Sequence, residues 1–179
     1  MRLFIAVQPP SVVLDEVERS VEALREQVGP RRTANLRWAT REKLHVTLRF
    51  LGEMPGEALS ELTASVDAAP LAPTEAELGP AFVRLGRQVL CLPVSGLDDL
   101  AAAVVAATSA LGEPPEARAY RGHLTVARVR GKGGGSIHQQ LLAPAAPRRW
   151  LVDEVQVIRS HLGGAGARYE VLHVCRLSA

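Results

Sequence analysis

Two short segments of this chain carry the same set of side chains able to move protons: Lys43-Leu-His45-Val-Thr47-Leu-Arg49 and Arg121-Gly-His123-Leu-Thr125-Val-Ala127. Each reads His-x-Thr followed by an apolar residue. With five His and seven Thr among 179 residues, chance places about 0.2 such triplets in the chain. In a strand, residues two apart project from one face roughly 6–7 Å apart, so imidazole and hydroxyl can meet one small group. If the two segments face each other across a cleft, they offer two imidazoles and two hydroxyls to a single phosphate.

Hydrolysis of a cyclic phosphodiester uses such a set. One group takes a proton from the attacking water, and another gives one to the departing sugar oxygen from the opposite side of phosphorus. Histidine suits both tasks at neutral pH, because an unperturbed pKa near 6.5 lets one imidazole be neutral while its partner is protonated. Thr47 and Thr125 can donate to the non-bridging oxygens as charge develops. No metal or cofactor is expected. A zinc site would need His45, His123 and a third ligand, and no helical His-x-x-x-His or Cys-x-x-Cys spacing supplies one. A serine nucleophile is disfavoured by the lack of a Gly-x-Ser-x-Gly turn. His138, His161 and His173 stand in no comparable context and read as surface or structural residues.

The elements that must hold these motifs follow from periodicity. Leu44 to Leu51 alternates, with Leu44, Val46, Leu48 and Phe50 expected in a core and His45, Thr47 and Arg49 on a cleft or solvent face. His123 to Val129 alternates likewise, Leu124 and Val126 opposing His123 and Thr125. Leu14, Val17, Val21, Leu24 and Val28 define one face of a helix from Ser11 to Gly29–Pro30. Further helices are expected from about Pro55 to Ala68 and from Leu97 to Leu111. Strands are expected at Arg2 to Val7, Leu36 to Trp38, Ala76 to Leu78, Ala81 to Leu85, Val89 to Val94, Val152 to Arg159 and Tyr169 to Leu177. Thr40 to Glu42 reads as a polar turn, Gly131 to Gly135 as a flexible linker, and Gly163 to Gly166 as the turn between the last two strands. The helices and strands do not alternate in the rhythm of a parallel sheet, so an α+β fold with antiparallel pairing is expected, residues 1–179 forming one domain.

Composition narrows the partners. A net charge of +2 is too mild for a protein that coats nucleic acid, and fits a small anion or one RNA end. The clusters Arg31–Arg32, Arg37–Arg41, Arg118–Arg121–Arg128–Arg130 and Arg148–Arg149 can supply a local positive patch, although most of these arginines read as solvated. Hydrophobic residues make up 47%, which argues against disorder. Cys91 and Cys175 stand in apolar alternating runs as free buried thiols, consistent with a reducing, cytoplasmic setting. The opening apolar run stops at Pro9–Pro10 and reads as a first strand rather than a leader or a membrane span.

These residues resemble the 2H phosphoesterase superfamily, and within it the bacterial and archaeal RNA 2′,3′-cyclic phosphodiesterases first named 2′-5′ RNA ligases. The likeness spans nearly the whole chain: Met1-Arg-Leu-Phe-Ile-Ala-Val with Pro9–Pro10, Arg37–Trp38, Leu44-His-Val-Thr-Leu-Arg-Phe-Leu-Gly-Glu53, His123-Leu-Thr-Val-Ala-Arg128, and Ser160-His-Leu with Gly166-Ala-Arg-Tyr169. The resemblance implies a bilobal, pseudo-twofold fold of two antiparallel sheets with flanking helices around a central groove. It implies His45, Thr47, His123 and Thr125 as the catalytic set, His45 as the acid and His123 as the base, with Arg128, Tyr120 and Tyr169 binding substrate. It further implies conversion of RNA 2′,3′-cyclic phosphate ends to 2′-phosphomonoesters by a monomer, with tRNA fragments as possible partners and a 2′-5′ joining reaction in reverse. Members usually carry an aromatic and a proline just before the second motif; here Tyr120 keeps the aromatic place and Gly122 replaces proline. Another cyclic or 2′-5′-linked nucleotide as substrate, and a non-catalytic RNA-end binder, are the rival readings.

Overall fold

The computed structural model describes residues 1–130, 145, 148–163 and 166–178. The expected linker at Gly131 to Gly135, and His138, lie outside the described residues, as do Gly164 and Ala165 of the expected turn. Ten strands and four α-helices are described: β1 (Arg2–Val7), α1 (Ser11–Val28), α2 (Pro30–Thr33), β2 (Leu36–Trp38), β3 (Val46–Glu53), α3 (Ala58–Asp67), β4 (Thr74–Leu78), β5 (Val83–Leu85), β6 (Val89–Ser95), α4 (Asp98–Ala107), β7 (His123–Val129), β8 (Arg148–Val152), β9 (Glu154–His161) and β10 (Arg168–Arg176). Among the described residues no helix is long and apolar enough to cross a membrane.

Every described strand pairing is antiparallel, and the strand order β10-β9-β1-β3-β7-β6-β4-β8 divides at its middle into two lobes of four. Each lobe repeats one unit. In the first, β1 leads through α1 to its neighbour β3; in the second, β6 leads through α4 to its neighbour β7. The two His-Thr segments are therefore the innermost strands of the two lobes, as a pseudo-twofold arrangement requires. Two short strands lie off this path: β2 crosses from the first lobe to pair with β7, and β5 pairs with β6 beside it.

The helices form where the apolar spacing places them. In α1, Val13, Leu14, Val17 and Leu24 are buried, each such burial contributing roughly 1.5–3 kcal/mol. The helix stops at Gly29, whose φ of 82° suits a residue without Cβ and whose N–H donates to the Arg25 carbonyl. On the solvent side, Glu16 ties α1 to β8 through Arg148 at 2.9 Å. One apolar cluster runs through both lobes, from Leu3, Ile5 and Val7 of β1 to Leu90 and Leu92 of β6 and Leu124 and Val126 of β7.

Two expectations are corrected. The alternation of β3 does not run through to Phe50: Arg49 is buried at 4% exposure while Phe50 is 37% exposed. The register of β3 on β1 shifts twice, at Ile5/Ala6 and at Leu3/Phe4, so extra residues enter β3 at Leu48 and Leu51. Such a bulge turns every later side chain to the other face. Arg49 thus leaves the cleft face and donates to the carbonyls of Val105, Leu111 and Glu113 at 3.0, 2.9 and 3.2 Å, closing the end of α4. Phe50 turns outward under the Arg2 guanidinium, 4.8 Å away. The expected single strand Val152 to Arg159 is two strands that part at Asp153. Side chains of the main core fall on even positions before it, Trp150 and Val152, and on odd positions after it, Val155 and Val157. The chain passes there from β4 in the second lobe to β1 in the first.

Candidate active site

β3 and β7 meet at a single register pair, Val46 opposite Leu124, and both side chains are fully buried. The residues flanking an antiparallel pair oppose one another in turn. His45 therefore lies opposite Thr125, and Thr47 opposite His123. The four side chains point away from the core side of the sheet and line one cavity of about 380 Å³. The bulge at Leu48 follows Thr47 directly, so β3 keeps its alternation through the motif and loses it just beyond.

The cavity is cationic. Arg37, Lys43 and Arg128 join its wall, with Trp38 and Tyr169, and among the described residues no Asp or Glu lines it. Arg37 and Arg128 are cross-strand partners in the β2–β7 register. Like charges set opposite each other repel, and neither has an ion-pair partner among the described residues. By contrast Arg41 is paired with Asp15 and Glu18, Arg148 with Glu16, and Arg149 with Glu75 and Glu77. An anion seated between Arg37 and Arg128 relieves that repulsion. The Arg37 guanidinium rests against Gly166, where a Cβ would stand 2.0 Å from its nitrogen.

Each imidazole is anchored to the backbone two residues earlier. His123 Nδ1 donates to the Arg121 carbonyl at 2.7 Å, which leaves Nε2 for the cavity, and His45 makes a backbone hydrogen bond to Lys43. Beyond that the two sites differ. His45 stands between rings, its centroid 4.9 Å from Phe4 and 5.1 Å from Tyr169. Burial pushes its pKa down from 6.5 to about 4; the bond to Lys43 opposes this, and the charges of Arg128 and His123 add to it.

Tyr120 is placed elsewhere from the other residues expected to bind substrate. It lines a neighbouring, more apolar cavity that shares Thr47 and His123, and its hydroxyl donates to the Thr47 carbonyl at 3.1 Å. It braces the first motif from behind, and burial pushes its phenol well above the ordinary value. Gly122 shows why proline's place is taken by the smallest residue: a Cβ there would lie 2.3 Å from the Val94 carbonyl oxygen. His161 and His173 are tied to Glu170 and Asp67 on the surface, at 2.6 and 2.7 Å. Cys91 is buried with its thiol pushed up to about 11, which leaves it no thiolate at neutral pH. Among the described residues no group of three or more His, Cys, Asp or Glu side chains gathers to hold a metal.

Sequence reasoning gave Lys43 and Trp38 no place in the wall, and named Arg37 only as one of several arginines able to form a positive patch. The signal existed in part, since Lys43 sits two residues before His45 as Arg121 does before His123. Arg37 and Trp38 reach the cavity only because β2 leaves its own lobe to pair with β7.

Comparison with known proteins agrees with this geometry. The 2′-5′ RNA ligase superfamily model matches residues 13–164. Among solved structures, TT0787 of Thermus thermophilus is 27% identical with a TM-score of 0.76, covering 99% of this chain and 98% of that chain. Escherichia coli LigT complexed with 3′-AMP is 22% identical with a TM-score of 0.79 over the same shares. LigT complexed with phosphate is 22% identical with a TM-score of 0.68, again over 99% and 98%. Among curated proteins none matches.

Proposed function

Because the chain belongs to the 2′-5′ RNA ligase superfamily, we propose that it is a phosphodiesterase opening the 2′,3′-cyclic phosphate ends of RNA, tRNA fragments among them, to 2′-phosphomonoesters. The observation that carries this reading is the set of four motif side chains facing one cavity with, among the described residues, three cations and no carboxylate. The solved structures of similar fold that hold 3′-AMP and phosphate are those of ligands such a cavity suits.

The cyclic phosphate sits between the two imidazoles, its non-bridging oxygens toward Thr47, Thr125 and the guanidinium of Arg128. Tyr169 and Trp38 offer faces to the nucleoside. His123 takes a proton from water through Nε2 as the water oxygen bonds to phosphorus; the bond from phosphorus to the 3′ oxygen breaks, and that oxygen leaves with a proton from His45. The two histidines exchange protonation states in each turnover, and solvent restores them. Atoms balance without a metal. In the free protein His45 is neutral at pH 7, its pKa being near 4, so it acquires its proton together with the negative charge of the substrate. With an RNA 5′ hydroxyl in place of water, the same set would open the ring in the same sense, O5′ bonding to phosphorus as the 3′ oxygen leaves with the proton from His45, and join the ends through a 2′-5′ bond.

Incubating the purified chain with an RNA ending in a 2′,3′-cyclic phosphate, in EDTA, tests the reading. A 2′-phosphomonoester at undiminished rate is expected. A 3′-phosphate product, or turnover lost in EDTA and restored by a divalent ion, would replace the mechanism. Unchanged RNA alongside hydrolysis of a 2′-5′-linked dinucleotide would move the substrate assignment to that class.

A further inference from the structure

β1 is buried on both faces, and the two faces do different things. Leu3, Ile5 and Val7 enter the main core. Phe4 and Ala6 point the other way, into a small separate cluster with Ile158 of β9, against which Tyr169 of β10 packs. Three buried side chains make a poor stabilising core, yet Phe4 is kept at 4% exposure there. Its ring neighbours are His45 at 4.9 Å, tilted 32°, and Tyr169 at 5.3 Å, edge-on. His45 and Tyr169 are themselves edge-to-face at 84°. The three rings form a closed triangle with the imidazole as one corner. Nothing equivalent stands at the other motif, where no ring contact to His123 occurs among the described residues.

We propose that Phe4 is a positioning residue for His45: with Tyr169 it fixes the imidazole plane toward the cavity and shields one ring face from water, which makes two pseudo-equivalent histidines inequivalent. This rests on the phosphodiesterase reading only for its effect on turnover. The two histidines sit in matched motifs, yet among the described residues only His45 has rings packed against it. β1 supplies that difference through Phe4, which sets the plane of the ring; the proton that His45 donates as the acid arrives with the bound phosphate. The groups facing His45 are His123 and Arg128 from β7, Arg37 from β2, Lys43 from the turn before β3, and Tyr169 from β10. None is a carboxylate, so among the described residues no anion holds a proton on His45 in the free chain. Water is what could favour the charged form, and the Phe4 face excludes it.

Histidine-labelled NMR titration of the full chain, native and Phe4→Leu, tests this. The leucine keeps the site apolar and removes the flat ring. The His45 midpoint should rise by roughly one unit while His123 moves less than half as far. On cyclic-phosphate RNA, kcat should fall about tenfold and KM stay within about twofold, the mark of lost orientation rather than lost binding. A folded Phe4→Leu chain with a lower Tm, an unmoved His45 midpoint and an unchanged kcat would give Phe4 a purely structural role and overturn the proposal, as would equal movement of both histidines. If Phe4→Leu does not fold, Tyr169→Leu removes the other ring of the triangle and is read by the same midpoints. The titration needs no substrate: a moved His45 midpoint in a chain that turns over no cyclic phosphate leaves the positioning role standing and removes the proposed function.

Discussion

Replacing either motif histidine by Ala should lower kcat by roughly 10²- to 10⁴-fold, the contribution of one general acid or base. Thr47→Ala or Thr125→Ala removes one donor to the phosphate and should cost on the order of 10- to 100-fold. Single-turnover rates on a cyclic-phosphate RNA measure both, and a histidine variant within threefold of native would remove that residue from the mechanism. A substrate with an activated 3′ leaving group separates the roles: it should restore His45→Ala and leave His123→Ala slow. His45 also links stability to pH. An imidazole in the unfolded chain titrates near 6.5, and His45 in the folded chain near 4, so between these values the unfolded state binds the extra proton. Stability is full above pH 6.5 and declines as pH falls toward 4, by about 3 kcal/mol in all. Urea unfolding at pH 7 and pH 4.5 should show native losing about 2 kcal/mol more than His45→Gln over that interval. Equal losses would mean that His45 is not held neutral by burial.

At the scale of elements, β3 shows how one bulge divides labour along a strand. Up to Thr47 the strand alternates and presents chemistry; beyond Leu48 its polar side chain turns inward and holds a helix end. Arg49→Leu should destabilise the chain by about 2 kcal/mol, because the part-buried carbonyls of Val105, Leu111 and Glu113 lose their donor. The Arg49 Nε, which has no partner of its own, already marks this as a costly arrangement held for its other three bonds. Thermal unfolding would measure the loss, and kcat measured well below the new Tm should stay near native, since Arg49 does not line the motif cavity. A variant as stable as native would show that the end of α4 is held by other contacts.

At the scale of the whole molecule, charge is local rather than general. A net +2 with Arg37, Lys43 and Arg128 gathered at one cavity suits the proposed substrate, an RNA gripped by its end alone. The slope of log kcat/KM against log salt should therefore be about −2, the value for roughly three contacts on a single strand, and should not steepen between a trinucleotide and a 30-mer. A slope that grows with RNA length would reveal a binding surface beyond the cavity. The lobes owe their joint to very little backbone: β3 and β7 share one register pair, and the crossing strand β2 adds three more between the lobes. That sparse seam leaves the groove between the motifs open.

Residue type and period two were enough to pair the motifs, to separate His45 and Thr47 from Leu44 and Val46, and to mark α1 from its apolar stripe, because these depend on neighbours within a few positions of the chain. The parity change at Asp153 was equally local and could have been read, Trp150 and Val152 giving way to Val155 and Val157. What no local pattern contains is the partner strand. The bulges that bury Arg49 and expose Phe50 exist only against β1, and Arg37 faces Arg128 only because β2 crosses to the other lobe. The ring triangle that makes His45 unlike His123 joins positions 4, 45 and 169. Sequence determined that two imidazoles would face one cavity. The tertiary structure decided their difference, since the proton affinity of a side chain is set by the solvent and charge that distant segments place around it.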